Sequence, residues 1–189
     1  MPQGLHGITA GTSGRLVIDA GACYVGYTDA ENPGDLVGAT RNGNAFNLTR
    51  TIRRIPADGS LGPTKGLRRR EEIVAQITVN LLEVTLDNFR RAIAGANVDM
   101  SDPDQAVITG GEIQDGDYIS NVAIVGTLNG TDIPVVALVT NALAEGPFNM
   151  ALNDRDEVVI PVTFTGHFDP ADMDTEPWQV YLPQVAGES

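Results

Sequence analysis

The stretch from Ile73 to Leu81 limits what this chain can fold into more than any other. Ile73, Ala75, Ile77, Val79 and Leu81 alternate with Glu72, Val74, Gln76, Thr78 and Asn80. Successive side chains point to opposite faces of a strand, so this period of two predicts a β-strand with one buried face and one mostly polar face. A helix is expected almost at once, over about residues 85–94. Thr85 is a good N-cap, and Asn88 is a weak capping-box partner three residues on. Leu86, Phe89 and Ile93 share one helix face, and Arg90 and Arg91 sit near the end where cations suit the dipole. Gly95 is a natural C-cap. A strand followed this closely by a short, one-sided helix predicts a helix that leans on a sheet.

Elsewhere the pattern is β. Residues 1–14, rich in Gly, Thr and Ser, show no period and read as a flexible arm. Arg15–Ala20 and Ala22–Tyr27 read as short strands, and residues 29–44 as a loop. Ala45–Ile55 alternates without a cleanly apolar face and returns through Asp58–Gly59 to the basic run Arg68–Arg70. The result is a long basic β-hairpin, about residues 45–75, with little core of its own. Such a hairpin usually packs on something else, often a neighbouring subunit. Ala106–Ile113 is a strand, and Tyr118–Leu128 and Thr131–Leu143 flank Asn129–Gly130, a strong signal for a type I′ hairpin. Glu157–Asp169 should bury Val158, Ile160, Val162, Phe164 and Phe168. A last strand, Trp178–Leu182, places Trp178, Val180 and Leu182 on one side. The fold class is mainly β: an antiparallel β-sandwich or barrel with one flanking helix. Residues 15–182 form one domain and 183–189 a C-terminal tail.

Charge narrows the function. The formal net charge is −13, which argues against a nucleic-acid binder. The charge is also segregated. Residues 41–91 hold ten of the twelve basic groups against five acids, whereas residues 92–189 carry Arg155 against sixteen acids. A basic surface on one copy meeting an acidic surface on the next is one reading of that split. The opening MPQGLHGITA has no basic segment followed by an apolar run, so no signal peptide is expected. The longest apolar run, Ile133–Val139, is far short of the ~20 residues of a membrane span.

No catalytic constellation emerges. Cys23 is the sole cysteine, which excludes an internal disulfide and a structural zinc cluster. His6 and His167 are the only histidines, and no nucleophile-elbow pattern accompanies them. His167 reads as an exposed residue at a strand end. The aspartates at 99/102/104, 115/117, 154/156 and 172/174 do not fit the twelve-residue calcium loop and read as loop acids. Arg68–Arg70 lack interleaved aromatics and adjoin Glu71 and Glu72, which favours inter-subunit salt bridges over nucleic-acid contact. No enzymatic activity, cofactor or metal is expected.

Two longer segments carry a resemblance. GATRNGNAF…RTIRRIPADGSLGPTKGLRRREEIVAQITVNLLEVTLDNFRRAI resembles the major tail tube proteins of long-tailed (siphovirus-type) bacteriophages. It shows a "GAT…G" segment leading to a strand, a "DG…G…KG" hairpin, and a strand ending in "LLE(V/L)T" before a short helix. VVIPVTFTGHFDPADMDTEPWQV is similar to that family's closing strand, acidic loop and final Pro-Trp strand. The likeness covers roughly residues 36–95 and 157–182; the first 30 residues depart most from it. The resemblance implies a β-sandwich or barrel with one flanking helix, shared with the type VI secretion tube protein. It further implies six subunits closing a ring, and rings stacking into a hollow conduit for DNA passage into the host. Such a tube forms around a tape-measure protein and ends at tail terminator and tail-tip proteins. DNA passes through without specific binding, and nothing inserts into a membrane. The product is a virion tail assembled in the bacterial host cytoplasm.

On this reading the polar face of the Ile73–Leu81 strand (Glu72, Gln76, Thr78, Asn80) lines the lumen. Arg53, Arg54, Arg68, Arg69 and Arg70 contact the adjacent subunit or ring. The alternative is a non-catalytic β-sandwich binding module, either a tail decoration or a carbohydrate-binding domain. That reading calls for a cluster of exposed aromatics. A small hydrolase would need a nucleophile, base and orienter.

Overall fold

The structure is a computed structural model that describes residues 8–9, 11–17, 21–131 and 133–184. The strands in chain order are β1 (Ala22–Val25), β2 (Asp35–Leu36), β3 (Ala45–Arg54) and β4 (Arg68–Leu81). The helix α1 (Leu86–Ala92) follows, then β5 (Ala96–Asp99), β6 (Val107–Gly110), β7 (Ile119–Thr127), β8 (Pro134–Ala144), β9 (Ile160–Gly166) and β10 (Trp178–Tyr181). Seven strands pair in the order β2-β1-β7-β8-β9-β4-β3, and β10 pairs with β8; every pairing is antiparallel. β5 and β6 form a separate hairpin. The end strands β2 and β3 do not pair with each other, so no barrel closes. The fold is a mainly-β sandwich with one helix.

The sandwich arises because β8 changes partners. Its residues Val136–Val139 pair with β10, and Ala142–Ala144 pair with β9. Between them Asn141 adopts the left-handed region, with φ of 46°. The sheet turns there, which brings its two ends face to face. The core therefore joins Cys23, Val37, Val122 and Val139 to Ala75, Ile77, Val79, Leu81, Ile160, Val162 and Phe164. Across the floor of this core run the register rows Phe46–Ile77–Phe164 and Val79–Val162. Gly166 closes β9 where the chain passes the start of β10; a Cβ there would lie 2.6 Å from the Pro177 carbonyl oxygen.

The alternation in β4 behaves as expected. Ala75, Ile77, Val79 and Leu81 are buried, and Gln76, Thr78 and Asn80 lie on the opposite face. The strand starts earlier than its apolar pattern, at Arg68, because β3 offers a hydrogen-bonding partner along the whole basic run. A bulge at Thr51/Ile52 leaves Glu71 without an opposite residue.

The helix forms where expected, capped by the Thr85 hydroxyl, which accepts from the Asn88 backbone N–H at 3.2 Å. The capping box does not form. The Asn88 side chain points inward instead and donates to the carbonyls of Val37 (2.9 Å) and Glu83 (3.1 Å). The inward stripe is Asn88, Phe89 and Ala92, with Leu86 and Ile93 only half-buried. Gly95 lies beyond the helix end at φ 69°, where a Cβ would approach the Gly111 carbonyl oxygen to 2.8 Å.

Two expectations need correction. Ser13–Arg15 form a 3-10 turn and Val17 a lone bridge to Leu128, so the strand expected at Arg15–Ala20 is absent over its described residues; residues 18–20 lie outside them. Asn129–Gly130 is a turn without type I′ geometry, since only Gly130 has positive φ. There the Asn129 backbone N–H donates to Leu16 O at 2.9 Å and its side chain donates to Ser13 O at 2.7 Å, ties that fix the residue from outside the hairpin. Trp178 packs against Phe46, whereas Val180 and Leu182 are exposed. Ala96–Asp99, for which no expectation arises from the sequence, pairs with Val107–Gly110. Residues 1–7 and 10 of the expected arm, including His6, and residues 185–189 of the expected tail lie outside the described residues.

Candidate assembly surface

β4 has two halves with different surroundings. Gln76–Thr78 are flanked by β3 on one side and β9 on the other, and Val79–Leu81 by β9 and, on the other side, by residues 39–41. Arg68–Ile73 pair with β3 alone. β3 is itself the end of the sheet, so the outer part of the hairpin shows an unpaired strand edge on each side. Every residue from Thr49 to Gly59 and from Arg68 to Glu72 is exposed, as are Ile52, Ile55 and Leu61. The strands are connected beyond Ile55, whose N–H donates to Leu67 O at 3.1 Å. Within the turn, Arg54 donates to Gly62 O at 2.7 Å, and the Ser60 and Thr64 hydroxyls lie 2.9 Å apart.

The five arginines expected to make inter-subunit contacts divide. Arg70 binds the Glu176 carboxylate, and Arg53 Nε lies 2.9 Å from Glu71 Oε1; both are ion pairs within the chain. Among the described residues, no carboxylate lies within the 4.0 Å of an ion pair from Arg54, Lys65, Arg68 or Arg69. The projecting end thus carries unpaired cations, and its base is neutralised from within.

That base is built around Glu176. Its carboxylate accepts from Arg70, from Arg50 Nη2 at 3.3 Å and from Trp178 Nε1 at 2.7 Å. The Arg50 guanidinium lies 5.3 Å from the Trp178 ring centre, and that ring meets Phe46 at 6.0 Å. Burial alone would push the Glu176 carboxyl up. The indole N–H and the charges of Arg70 and Arg50 together outweigh it and hold the group below its ordinary value. The acidic loop 169–176 is thereby tied to the foot of the hairpin. A second internal tie joins the basic and acidic regions where Arg41 reaches Asp156 (2.9 Å) and Glu157 (2.7 Å). Part of the charge asymmetry is therefore neutralised within the chain.

The residues assigned to the lumen share one face of the inner sheet. Gln76 donates to Thr165 Oγ1 at 3.1 Å, Thr78 lies 3.3 Å from Thr163 Oγ1, and Asn80 donates to Gly43 O at 2.9 Å. Asn47 pairs with Gln76 and Thr49 with Val74 on the same face. Glu72 stands apart at its outer end and is exposed. The face is a platform of hydroxyls and amides rather than a strongly acidic one.

Other chemistry-bearing residues are accounted for locally. Cys23 is fully buried, and burial pushes its thiol up to about 12, although Arg91 opposes the shift. A thiol so placed is a poor nucleophile. His167 is half-buried rather than exposed and borders an open cleft of about 350 Å³ with Asp115, Tyr118, Asn141, Phe168, Asp169 and Pro170. Among the described residues, no three His, Cys, Asp or Glu side chains converge as metal ligands, and no helix is long and apolar enough to cross a membrane.

Sequence reasoning missed Glu176 and Asn88 as organising residues. Asn88 did carry a signal: a polar residue next to Phe89 on the inward side of a helix needs partners once buried. No comparable signal linked Glu176 to Arg50, Arg70 and Trp178. Neither a protein-family model nor a curated protein sequence matches this chain.

Proposed function

We propose that the chain is a structural subunit of a phage tail tube, closing six-membered rings that stack into a hollow conduit for DNA. The observation that carries this reading is the projecting half of the β3–β4 hairpin. It has open strand edges, exposed Ile52, Ile55 and Leu61, and four cations, Arg54, Lys65, Arg68 and Arg69, with no carboxylate partner among the described residues. A monomer gains nothing from such an extension, and an open edge is a liability unless something pairs with it. A head-to-tail ring or stack needs two different complementary surfaces on each subunit. A basic projection on a chain of net charge −13 supplies one of them and leaves ample acidic surface for the other.

In this reading the Gln76/Thr78/Asn80 face lines the lumen, with Glu72 at its rim. A hydroxyl and amide surface without cations offers phosphates no counter-ion to hold, so DNA slides. The tape-measure protein occupies that lumen during assembly, and terminator and tail-tip proteins close the ends. The tube belongs to a virion tail built in the host cytoplasm.

The test is negative-stain electron microscopy of the purified protein across concentration and salt, with and without tail tips as seeds. Six-fold rings or hollow tubes support the proposal. A protein that stays dispersed under all these conditions contradicts it and moves the reading to a binding module, for which a glycan screen is the next step.

A further inference from the structure

His167 holds the point at which β8 changes partners. Its backbone N–H donates to Thr140 O at 3.1 Å, and the Asn141 side chain donates to His167 O at 3.3 Å. The ring adds two contacts, with Nδ1 3.0 Å from Asn141 O and Nε2 3.2 Å from Glu145 Oε1. Both partners of the ring are acceptors. A backbone carbonyl and an ionised carboxylate have no proton to give, whereas a neutral imidazole has one N–H and one bare nitrogen. A neutral ring therefore satisfies one contact and sets lone pair against lone pair at the other. Only the ring protonated at both nitrogens satisfies both.

Acids from three elements border the ring. Glu145 comes from the end of β8, Asp115 from the 3-10 turn before β7, and Asp169 from the loop after β9. Asp117, in the same turn as Asp115, has its carboxylate engaged by the Gln114 N–H at 2.7 Å. Tyr118 meets the imidazole edge-on, with ring centres 5.2 Å apart. Among the described residues, no Lys or Arg lines the cleft. The cleft is open, so protons exchange freely with solvent.

We propose that His167 is a proton-operated clasp at the β8 kink, closed when both ring nitrogens carry a proton and loosened when one is lost. The lost proton passes to solvent, and one of the two ring contacts goes with it. The clasp grips the chain just before the acidic loop 169–176, whose Glu176 holds the foot of the basic hairpin. This inference stands whether or not the chain forms tubes.

The test is nitrogen NMR of the histidine rings in the full chain, with amide hydrogen exchange at residues 141–145 and 167–169, from pH 5.5 to 8.5. The expected result is a His167 ring protonated at both nitrogens in the native chain at a pH where Glu145→Gln leaves one nitrogen bare. Protection at these amides, corrected for intrinsic exchange, should fall about three- to tenfold as the ring loses its proton. His167→Gln should remove that pH dependence. Equal proton occupancy of the ring in the native chain and in Glu145→Gln at every pH would overturn the proposal. So would an unchanged pH dependence of exchange in His167→Gln.

Discussion

The two halves of β4 use one backbone conformation for opposite ends. From Gln76 to Leu81 the strand has a neighbour on each side, and its apolar face is buried in one core with its strand partners Phe164, Val162 and Ile160. From Arg68 to Ile73 it has one neighbour and almost no buried side chain. Sequence marks the change: an alternating apolar pattern gives way to three arginines and two glutamates. The comparison teaches that burial and exposed charge are separated along a single strand. The inner half is held by burial, at about 25 cal/mol per Å² of apolar surface. The outer half has little to bury within the chain, and on the proposed reading its charges and open edges meet another surface.

The largest effect should come from cutting into the inner half. Ile77→Ala removes a fully buried side chain between Phe46 and Phe164 and should cost about 2–5 kcal/mol in urea unfolding. A cost below 1 kcal/mol would break the claim that this half carries the core. Next is the helix that packs on that core. Asn88→Ala orphans the Val37 carbonyl in the interior and should cost about 1–3 kcal/mol. Thr85→Ala removes only the helix cap, and a loss of about 1 kcal/mol is expected in the same assay.

At the boundary between the halves, pH is the lever. The Glu176 carboxyl is held below its ordinary value in the folded chain, so it binds its proton less readily folded than unfolded. Its contribution to stability is complete above the unfolded value and is lost as pH falls through the folded one. Trp178, whose indole donates to Glu176, reports this directly. Its fluorescence should change on acidification below about pH 4, a response that Glu176→Gln should abolish. If the variant keeps the same acid response, Glu176 is not the tie between loop and hairpin.

How much of this could be read from sequence follows from what each feature depends on. The inner half of β4, the helix and the basic hairpin were legible because period-two alternation, a threonine cap and a charge run are local. The kink at Asn141 was not, because nothing near it in sequence says that β8 has β10 on one stretch and β9 on the next. The Asn129 turn misled for a related reason: the dipeptide favours type I′, but Ser13 and Leu16, more than a hundred residues earlier, hold it otherwise. For the assembly surface, the sequence located the arginines but not their division. Which of them are neutralised depends on Glu71 across a bulge and on Glu176 at the far end of the chain.

That division sets the most direct test. Arg70 belongs to the foot of the hairpin and should be left alone; Arg68 and Arg69 have no carboxylate partner among the described residues. The smallest effect on folding is expected from the double variant Arg68→Glu with Arg69→Glu, within about 0.5 kcal/mol of the parent chain. The measurement is sedimentation velocity of this variant beside the parent under tube-forming conditions, with a thermal melt of each. The account predicts matching melts, assembly by the parent, and a variant that remains a folded, unassembled subunit. A variant that assembles as the parent does would contradict it.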